Sequence, residues 1–405
     1  MAPQLVSELE LPYLNTVGMD RLDALVAIDA TRDKSWLAKT DMGYNVMGLS
    51  DVTAILRDKR FHSALSILPQ MQGMEGASSD YRRRRQSILS MEGDGHARLR
   101  RLVAPAFTPA SATRLRPTMR AVVNDLVDRV AGEGQCEFVA DICEPYPIPI
   151  ICELLGAPRQ DWKLFSAWAT DIFRIFNANL VDDLPLIERA AGELSAYVSE
   201  MIAERRTEPR DDLLSDLIAI EEGGDRLSTE EMAMLAEATL MAGTDTTRNQ
   251  LACCIALFCE HPDQWALLAE RPELAPRAVE ESLRFLGAVR ATVRFASEDI
   301  VYRDVLFPKG TILSTALAGA NRDPEVWQDP NEFDITVERE TAHMTFGSGI
   351  HFCMGAALAR AELQEALPLL ARRMPGLARN GPIEWKPATF GIWGPAVLPI
   401  RFDPS

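Results

Sequence analysis

One long helix constrains the fold of this chain more than any other feature of its sequence. Ser228, followed three residues later by Glu231, forms a capping box, which is typical of a helix start. A mostly apolar run continues from there through Leu257 and predicts a helix of about thirty residues. We expect it to be the longest helix of the protein.

The segment around this helix is also predicted to be helical. Residues 108 to 275 show helical periodicity and are rich in helix-forming residues. Breaks are expected where helix-breaking residues fall, near Pro145, Pro158, Pro185 and the Gly223–Gly224 pair. Most of the chain should therefore be α-helical.

Strand-like segments are short and scattered, so they can form only small sheets. They lie at about residues 42–48, 293–303, 311–317 and 397–402. No internal repeat, low-complexity tract or linker rich in Gly, Ser or Pro separates independent parts. We therefore expect a mainly α fold with small β-sheets, and one domain over residues 1–405.

Composition limits where the protein works and what it binds. The formal net charge of -17 repels the phosphates of nucleic acids and of anionic membranes. No window approaches the ~18 uncharged apolar residues of a membrane span, and the first residues lack the order of a signal peptide. The seven cysteines are odd in number and form no CxxC, so no disulfide framework is expected. We expect a cytoplasmic protein in which six of the seven cysteines are small buried apolar residues.

The seventh cysteine lies in a glycine-rich loop. The segment from Phe346 to Gly355 reads FGSGIHFCMG, and a helix-like run, AALARAELQEAL, follows it. At a helix start the backbone N–H groups and the helix dipole lower the pKa of a thiol, so Cys353 is placed to be a thiolate. Gly349 and Gly355 would let the backbone approach the sulfur and a flat cofactor, and Phe346 would shield the sulfur from water. A haem iron fits these features.

Two other interpretations of the loop compete with haem. Zinc would need at least two ligands beyond Cys353 and His351. A buried cysteine in a glycine-rich turn is the ordinary explanation for a lone cysteine. Haem is favoured by the whole motif, since a thiolate ligand promotes O–O cleavage by the iron.

The motif Phe-x-x-Gly-x-x-x-Cys-x-Gly, with His351 two residues before the cysteine, resembles the haem-binding signature of bacterial cytochromes P450. The resemblance covers nearly the whole chain and includes the segments GHARLRRLVAPAFTP, ICELLGAP, HPDQW, ANRDP and LARAEL. It implies the cytochrome P450 fold, a single haem domain with a long distal helix over the haem. It also implies haem b, with Cys353 as the ligand of the iron, and O2 as a co-substrate.

The long helix contains the run from Ala242 to Thr247, AGTDTT, which matches the distal helix of the family. A glycine inside a helix costs roughly 1 kcal/mol, so Gly243 needs a reason. The resemblance implies a local distortion at Ala242 and Gly243 that makes room for dioxygen, and a role for Asp245 and Thr246 in proton delivery. The alternative is a Thr/Asp cap, or hydroxyl groups that bond back to helix carbonyls.

Further family positions involve charged side chains. Two propionates removed from water need paired donors, and the resemblance assigns this role to His96, Arg100, Arg294 and His351. Glu281 and Arg284 match a buried structural ion pair that a downstream arginine usually joins. Here Val337 occupies the usual arginine position and Arg339 comes two residues later, so the third member is left open.

The resemblance also places the substrate pocket. It draws on the loop at 62–95, residues 165–185, and the side chains of Ala238, Met241, Ala242, Val289, Arg290, Phe390 and Ile392. Because most of these are apolar, we expect a hydrophobic small-molecule substrate. Arg290 could pair with a substrate carboxylate, or it could turn toward a surface carboxylate or a propionate.

These features predict a monooxygenase that inserts one atom of O2 into a hydrophobic small molecule such as a terpenoid, steroid or fatty acid. No flavin or iron–sulfur region remains in the chain, so electrons should come from a separate ferredoxin and ferredoxin reductase. Arg98 and Arg101 could form a local basic face for the ferredoxin. A monomer is expected. The alternatives are a haem-thiolate peroxygenase or isomerase, and a non-catalytic haem sensor.

Overall fold

Helices account for most of the described structure, as predicted, and the sheets are small. The computed structural model describes residues 2–16, 18–19, 21–67, 86–174, 180–222, 227–386 and 392–404. The α-helices are α1 (Arg21–Arg32), α2 (Leu49–Arg57), α3 (Gly93–Val103), α4 (Pro109–Asp128), α5 (Pro147–Leu155), α6 (Trp162–Phe173), α7 (Leu180–Thr207), α8 (Leu213–Glu222), α9 (Thr229–Glu260), α10 (Pro262–Glu270), α11 (Ala275–Phe285), α12 (Leu317–Ala320) and α13 (Ala356–Arg373).

The strands are two to five residues long. They are β1 (Gln4–Leu5), β2 (Leu37–Thr40), β3 (Gly43–Val46), β4 (Phe61–Ser63), β5 (Gln135–Glu137), β6 (Thr292–Ala296), β7 (Ile300–Tyr302), β8 (Val305–Phe307), β9 (Ile312–Thr315), β10 (Ala378–Arg379), β11 (Glu384–Trp385), β12 (Pro395–Val397) and β13 (Pro399–Arg401). All four predicted strand segments contain strands. Strands such as β4 were not predicted, because three residues are too few to show an alternating pattern.

The chain divides into two units. The first comprises Met1–Ala97, Val289–Glu332 and Arg339–Cys353, and the second comprises Arg98–Ala288, Phe333–Glu338 and Met354–Ser405. The expectation of one domain over residues 1–405 stays a prediction.

The first unit is built on a five-stranded sheet in the order β2-β3-β9-β6-β4, in which only β3 and β9 run parallel. A second sheet has the order β1-β8-β7. The apolar side chains of the strands and of α2 form its core, which includes Val52, Ile55, Phe61, Phe307 and Leu313. This core supports the strand that carries Arg294, one of the predicted propionate-binding residues.

The second unit is mostly helical, with two small sheets of order β10-β13-β5 and β11-β12. Its central element is α9, which is buried on all sides from Leu251 to Phe258. The predicted capping box is present at Ser228 and Glu231, and α9 is the longest of the described helices. Helix α5 packs against α9, and α13 packs against α4.

The predicted break at Pro185 is wrong, because this residue lies inside α7. Proline removes one backbone donor. Pro185 stands in the second turn of the helix, so the loss is confined to one hydrogen bond near the start. The breaks near Pro145 and Pro158 fall at the two ends of α5, as predicted. Gly223 and Gly224 lie outside the described residues.

All seven cysteines are free thiols. Cys143, Cys152, Cys253 and Cys254 are buried as predicted, whereas Cys136 and Cys259 are half-buried. In the described part of the chain, no helix combines the length and the apolar composition that crossing a bilayer requires.

Candidate active site

Cys353 ends the first unit in a tight loop. Its backbone N–H donates to the carbonyl of Phe346 at 2.9 Å, which closes the loop around a single 3₁₀ turn at Gly349–His351. The residue is half-buried, and Phe352 and Phe346 place their ring centroids 6.5 Å apart. Along the chain, Gly355 caps α13 and Ala356 begins it, so Cys353 directly precedes a helix as predicted.

Gly349 has a structural reason in addition to the predicted one, which stays a prediction. It adopts a left-handed φ of +70°, and a Cβ there would lie 2.1 Å from the carbonyl oxygen of Leu56 at the end of α2. Only glycine allows this close approach. The residue therefore fixes the Cys353 loop against α2. Gly355, by contrast, has an ordinary φ of -78°.

Three of the four predicted propionate-binding residues lie in the first unit. The rings of His96 and His351 are 4.7 Å apart, and His351 Nε2 lies 3.0 Å from Oε1 of Glu92. Burial would raise the pKa of Glu92, but hydrogen bonds from His351 and from the backbone of Ser63 lower it overall. Glu92 was not singled out in the sequence, although it precedes the GHAR segment by only a few residues.

Arg294 is a buried cation with little to neutralise it. Its side chain is 6% exposed, and its only hydrogen bond among the described residues runs from Nη1 to the neighbouring carbonyl of Val293 at 3.1 Å. Burial lowers the pKa of its guanidinium to about 10, although the charge of Glu92 opposes this shift. A guanidinium in this state requires an anionic partner. Arg100, the fourth residue, is half-buried and lies one turn after His96 on α3.

The distal run of the sequence lies in the second unit, inside α9. The helix is uninterrupted across Ala242 and Gly243, so the implied distortion does not break it. A Cβ at Gly243 would lie 2.2 Å from Cδ1 of Ile151, which shows that glycine is needed for α5 to pack here. The hydroxyl of Thr246 donates to the carbonyl of Ala242 at 2.7 Å, as the alternative interpretation expected.

One face of α9 is left partly uncovered. The face is formed by Ala238, Met241, Ala242 and Thr246, of which Ala242 is exposed and the others half-buried. Their spacing of three and four residues places them on one side of the helix. Thr239, Leu240, Thr244, Asp245 and Thr247, on the remaining sides, are buried. We call these four residues the distal stripe.

Asp245 is buried and held by cations. Its Oδ1 contacts Nη2 of Arg248 and lies 3.9 Å from Nζ of Lys386. Nη1 of Arg248 is also 4.0 Å from Oε1 of Glu144. The spacing of Asp245 and Arg248, three residues apart in a helix, could have revealed this pair in the sequence. Nothing in the sequence indicates that Lys386 lies near Asp245.

A second acid lies behind the distal stripe. Thr247 donates to Oε2 of Glu362 at 3.0 Å, and the hydroxyl of Tyr146 donates to the main-chain carbonyl of Glu362 at 2.8 Å. Burial raises the pKa of Glu362 to about 8, against the opposing hydrogen bond from Thr247. Glu362 therefore carries a proton at neutral pH.

The Cytochrome P450 family model matches residues 45–374. The luteothin monooxygenase of Streptomyces thioluteus is 36% identical over 396 residues, which cover 97% of this chain and 96% of that protein. The chain belongs to the cytochrome P450 family. The vitamin D(3) 25-hydroxylase of Pseudonocardia autotrophica is 39% identical over 295 residues, or 72% of this chain and 71% of that protein. The crystal structure of CalO2 matches with a TM-score of 0.91 at 28% identity, covering 97% of this chain and 100% of that chain.

The protein is thus a P450 monooxygenase, a haem-thiolate enzyme that uses haem b and O2. The structural ion pair of the P450 family is present in the second unit, where Glu281 and Arg284 are buried and joined by two hydrogen bonds of 2.8 Å. The described residues contain no cluster of three or more His, Cys, Asp or Glu that could hold a metal ion.

The predicted substrate residues of this P450 are only partly described. Val289 and Arg290 are half-buried in the first unit, and the carbonyl of Arg290 accepts a hydrogen bond from the backbone of Ala318 at 3.0 Å. Ile392 is half-buried in the second unit. Phe390 lies outside the described residues, as do residues 68–85 of the predicted loop and residues 175–179.

Proposed function

We propose that this P450 oxygenates a hydrophobic small molecule and receives its electrons from a separate ferredoxin and ferredoxin reductase. The observation that carries the proposal is the distal stripe, where three apolar side chains and one hydroxyl stay partly uncovered in the middle of a helix that is mostly buried. An uncovered apolar face with one polar group is what a site for an apolar ligand requires.

The haem is proposed to be held by residues whose present surroundings suit it. Cys353 would supply the thiolate that holds the iron. Arg294 supplies a buried guanidinium without an ion pair among the described residues, and His96, Arg100 and His351 complete the donors for the two propionates. When bound, the haem supplies the activation of O2 that thiolate ligation favours.

Thr246 and Asp245 are proposed to move protons. Since Thr246 gives its own hydrogen to the carbonyl of Ala242, the lone pairs of Oγ1 remain able to accept a hydrogen bond from a water molecule or a ligand. Asp245 lies one residue before Thr246 and is buried beside two cations. A carboxylate next to an accepting hydroxyl can take a proton from water and pass it on.

The substrate is proposed to be neutral and apolar. Ala238, Met241, Ala242 and Val289 offer methyl groups and a thioether but no hydrogen-bond donor. The vitamin D(3) 25-hydroxylase, by its name, also acts on an organic small molecule. Arg290 would favour an acidic substrate if its guanidinium faced the same site, and Arg290→Ala separates the two cases. A cytoplasmic location completes the proposal and is supported by the seven free cysteines.

An optical titration of the purified ferric protein tests the substrate class. We expect the haem spectrum to shift toward the high-spin form with neutral terpenoids or steroids, because such ligands would suit the apolar side chains of the distal stripe. A shift with carboxylic acids alone, lost in Arg290→Ala, would contradict the neutral class. A protein without any haem spectrum would contradict the haem site.

Turnover tests the source of electrons. With a surrogate ferredoxin, ferredoxin reductase and NAD(P)H, we expect an oxygenated product to form in step with NAD(P)H consumption. Product formation only from added hydrogen peroxide would identify a peroxygenase. Ligand binding without turnover under either condition would identify a sensor.

A further inference from the structure

Both cations beside Asp245 face the same oxygen, Oδ1, which is buried and accepts no hydrogen bond among the described residues. Arg248 contacts Oδ1 through Nη2, and Nζ of Lys386 lies 3.9 Å from that oxygen. Within the described part of the chain, Oδ2 has neither a hydrogen bond nor an ion pair. The two oxygens of this carboxylate are therefore in different surroundings, one beside positive charge and the other open to a further partner.

Lys386 reaches Asp245 from a different element, and its backbone is fixed there. It follows β11 directly, its N–H donates to the carbonyl of Gly394 at 3.0 Å, and its carbonyl accepts from Nε1 of Trp393 at 3.0 Å. The rings of Trp385 and Trp393 stack 4.4 Å apart with only 5° between their planes. The backbone of Lys386 is thus held at both its N–H and its carbonyl, and the residue before it is stacked.

The strand β12, which pairs with β11, is packed against α9. A Cβ at Gly394 would lie 2.9 Å from Oδ1 of Asn249, so the backbone there touches the helix side chain closely. Asn249 in turn donates from Nδ2 to the main-chain carbonyl of Asp245 at 2.7 Å. These contacts set the distance from the Lys386 backbone to the turn of α9 that carries the acid.

The position of Lys386 is costly without an anion. Its side chain is 30% exposed, and burial lowers the pKa of the ammonium. Asp245 opposes this shift, Arg248 adds to it, and Cys253 and Glu144 oppose it less strongly. An ammonium group next to a guanidinium in a half-buried place is stable only if a carboxylate is shared between them.

We propose that Lys386 is a positioning residue for proton delivery: with Arg248 it holds Oδ1 of Asp245 and leaves Oδ2 as the oxygen that accepts and releases the proton. The inference rests on the proposed role of Asp245. A carboxylate held by one cation on its own helix can rotate and exchange its oxygens. A second cation, fixed on a hairpin, removes that freedom.

The contact itself can be tested by NMR without turnover. The chain has only six lysines, Lys34, Lys39, Lys59, Lys163, Lys309 and Lys386. Reductive methylation of the holoenzyme with ¹³C-formaldehyde marks each of them, and the diamagnetic ferrous carbonyl form gives sharp signals. The signal missing in Lys386→Arg identifies Lys386. We expect Asp245→Asn to lower the pH at which Lys386 titrates and to leave Lys309 unchanged. An unchanged Lys386 titration would overturn the proposal.

The functional consequence is tested by the coupling of NAD(P)H to product. We expect Lys386→Met to lower the product formed per NAD(P)H about three- to tenfold and to raise the solvent isotope effect, because proton delivery is slowed. Lys386→Arg should restore both, and Lys309→Met, at an exposed lysine, should match the unmodified enzyme. Full coupling in Lys386→Met, or failure of Lys386→Arg to restore it, would overturn the proposal.

Failure of the inference differs from failure of the proposed function. If the unmodified holoenzyme forms no oxygenated product, the proposed function fails on that result alone. If the unmodified holoenzyme forms product, and Lys386→Met forms as much product per NAD(P)H as it does, the proposed function stands. The proposed role of Lys386 is then contradicted.

Discussion

At the scale of single residues, the unusual groups of this protein are buried ionisable side chains with incomplete partners. Arg294 is a guanidinium without an ion pair among the described residues, and Glu362 is a carboxyl whose Oε1 accepts no hydrogen bond. Proteins retain such groups at a cost in stability, and they are concentrated at functional sites. Both lend themselves to measurement.

Replacing Arg294 should affect the haem-free and haem-bound forms in opposite directions. In the haem-free protein, Arg294→Met removes an under-neutralised buried charge, so the free energy of unfolding should rise by about 1 kcal/mol or more. In the holoenzyme the same change removes a donor to a propionate and should weaken haem binding about tenfold. Urea unfolding of both forms and haem transfer to apomyoglobin measure the two effects. Equal destabilisation of both forms would contradict the propionate assignment.

Removing the hydroxyl of Thr246 should uncouple NAD(P)H consumption from product formation without preventing the binding of haem or substrate. We expect Thr246→Ala to keep its haem spectrum and substrate-induced spin shift but to form hydrogen peroxide from most of the NAD(P)H consumed, because a proton-relay group is absent. Peroxide and product are measured together under turnover. Thr244→Ala serves as the control. It removes a hydroxyl on the buried side of the helix that donates a hydrogen bond to the main-chain carbonyl of Met241. Full coupling in Thr246→Ala would contradict the role.

Glu362 should make stability fall as pH rises. Burial raises its folded pKa to about 8, against an ordinary value of 4.5. Between these values the folded state binds a proton that the unfolded state has lost, so the free energy of unfolding decreases with increasing pH. Glu362→Gln should match the unmodified protein near pH 5 and exceed its stability near pH 8. Urea unfolding across this range measures the difference, with Glu200→Gln as an exposed control. An unchanged slope would show that Glu362 is not the proton acceptor.

At the scale of elements, the sequence predicted features that depend on neighbouring residues, but it did not predict contacts between residues far apart in the chain. The start of α9 was predicted because a capping box lies within four residues, and the Cys353 loop because its motif is contiguous. The break at Pro185 was wrong because the effect of a proline depends on its place in the helix. Lys386 could not be predicted as a partner of Asp245, because a hairpin more than a hundred residues away brings it there.

The packing of α5 on α9 depends on the absence of a side chain at Gly243. Alanine in a helix is favoured over glycine by about 1 kcal/mol. Gly192→Ala in α7 should show this gain, because an added Cβ would meet no described atom within 4 Å outside its own stretch of helix. Gly243→Ala should instead lose about 1–2 kcal/mol, since its Cβ would overlap Ile151. The two unfolding free energies are compared directly. In the Gly243→Ala background, Ile151→Val removes the overlapping Cδ1 and should recover part of the lost unfolding free energy. If the effects of the two substitutions simply add in the double variant, the two side chains do not overlap.

At the scale of the whole molecule, burial separates the seven cysteines by reactivity. Burial raises the pKa of Cys254 to about 11 and of Cys136, Cys152 and Cys259 to about 12, and it also raises the pKa of the fully buried Cys143. A thiol reacts as its thiolate, so these five should be slow to alkylate while the chain is folded. Cys353 is also half-buried, but it lies just before a helix, the position at which we predict a thiolate.

Alkylation of the whole molecule should therefore report the haem ligand. In the haem-free folded protein at pH 8, iodoacetamide should modify Cys353 at least about tenfold faster than these five cysteines, because they are held as thiols. In the holoenzyme Cys353 should be protected by the iron, and in urea all seven should react alike. Mass spectrometry of the tryptic peptides follows every site in one experiment. If haem protected another cysteine and Cys353 still reacted, that other cysteine would be the ligand of the iron. Protection of Cys353 alone would identify the ligand independently of turnover, since the measurement reads only the sulfur.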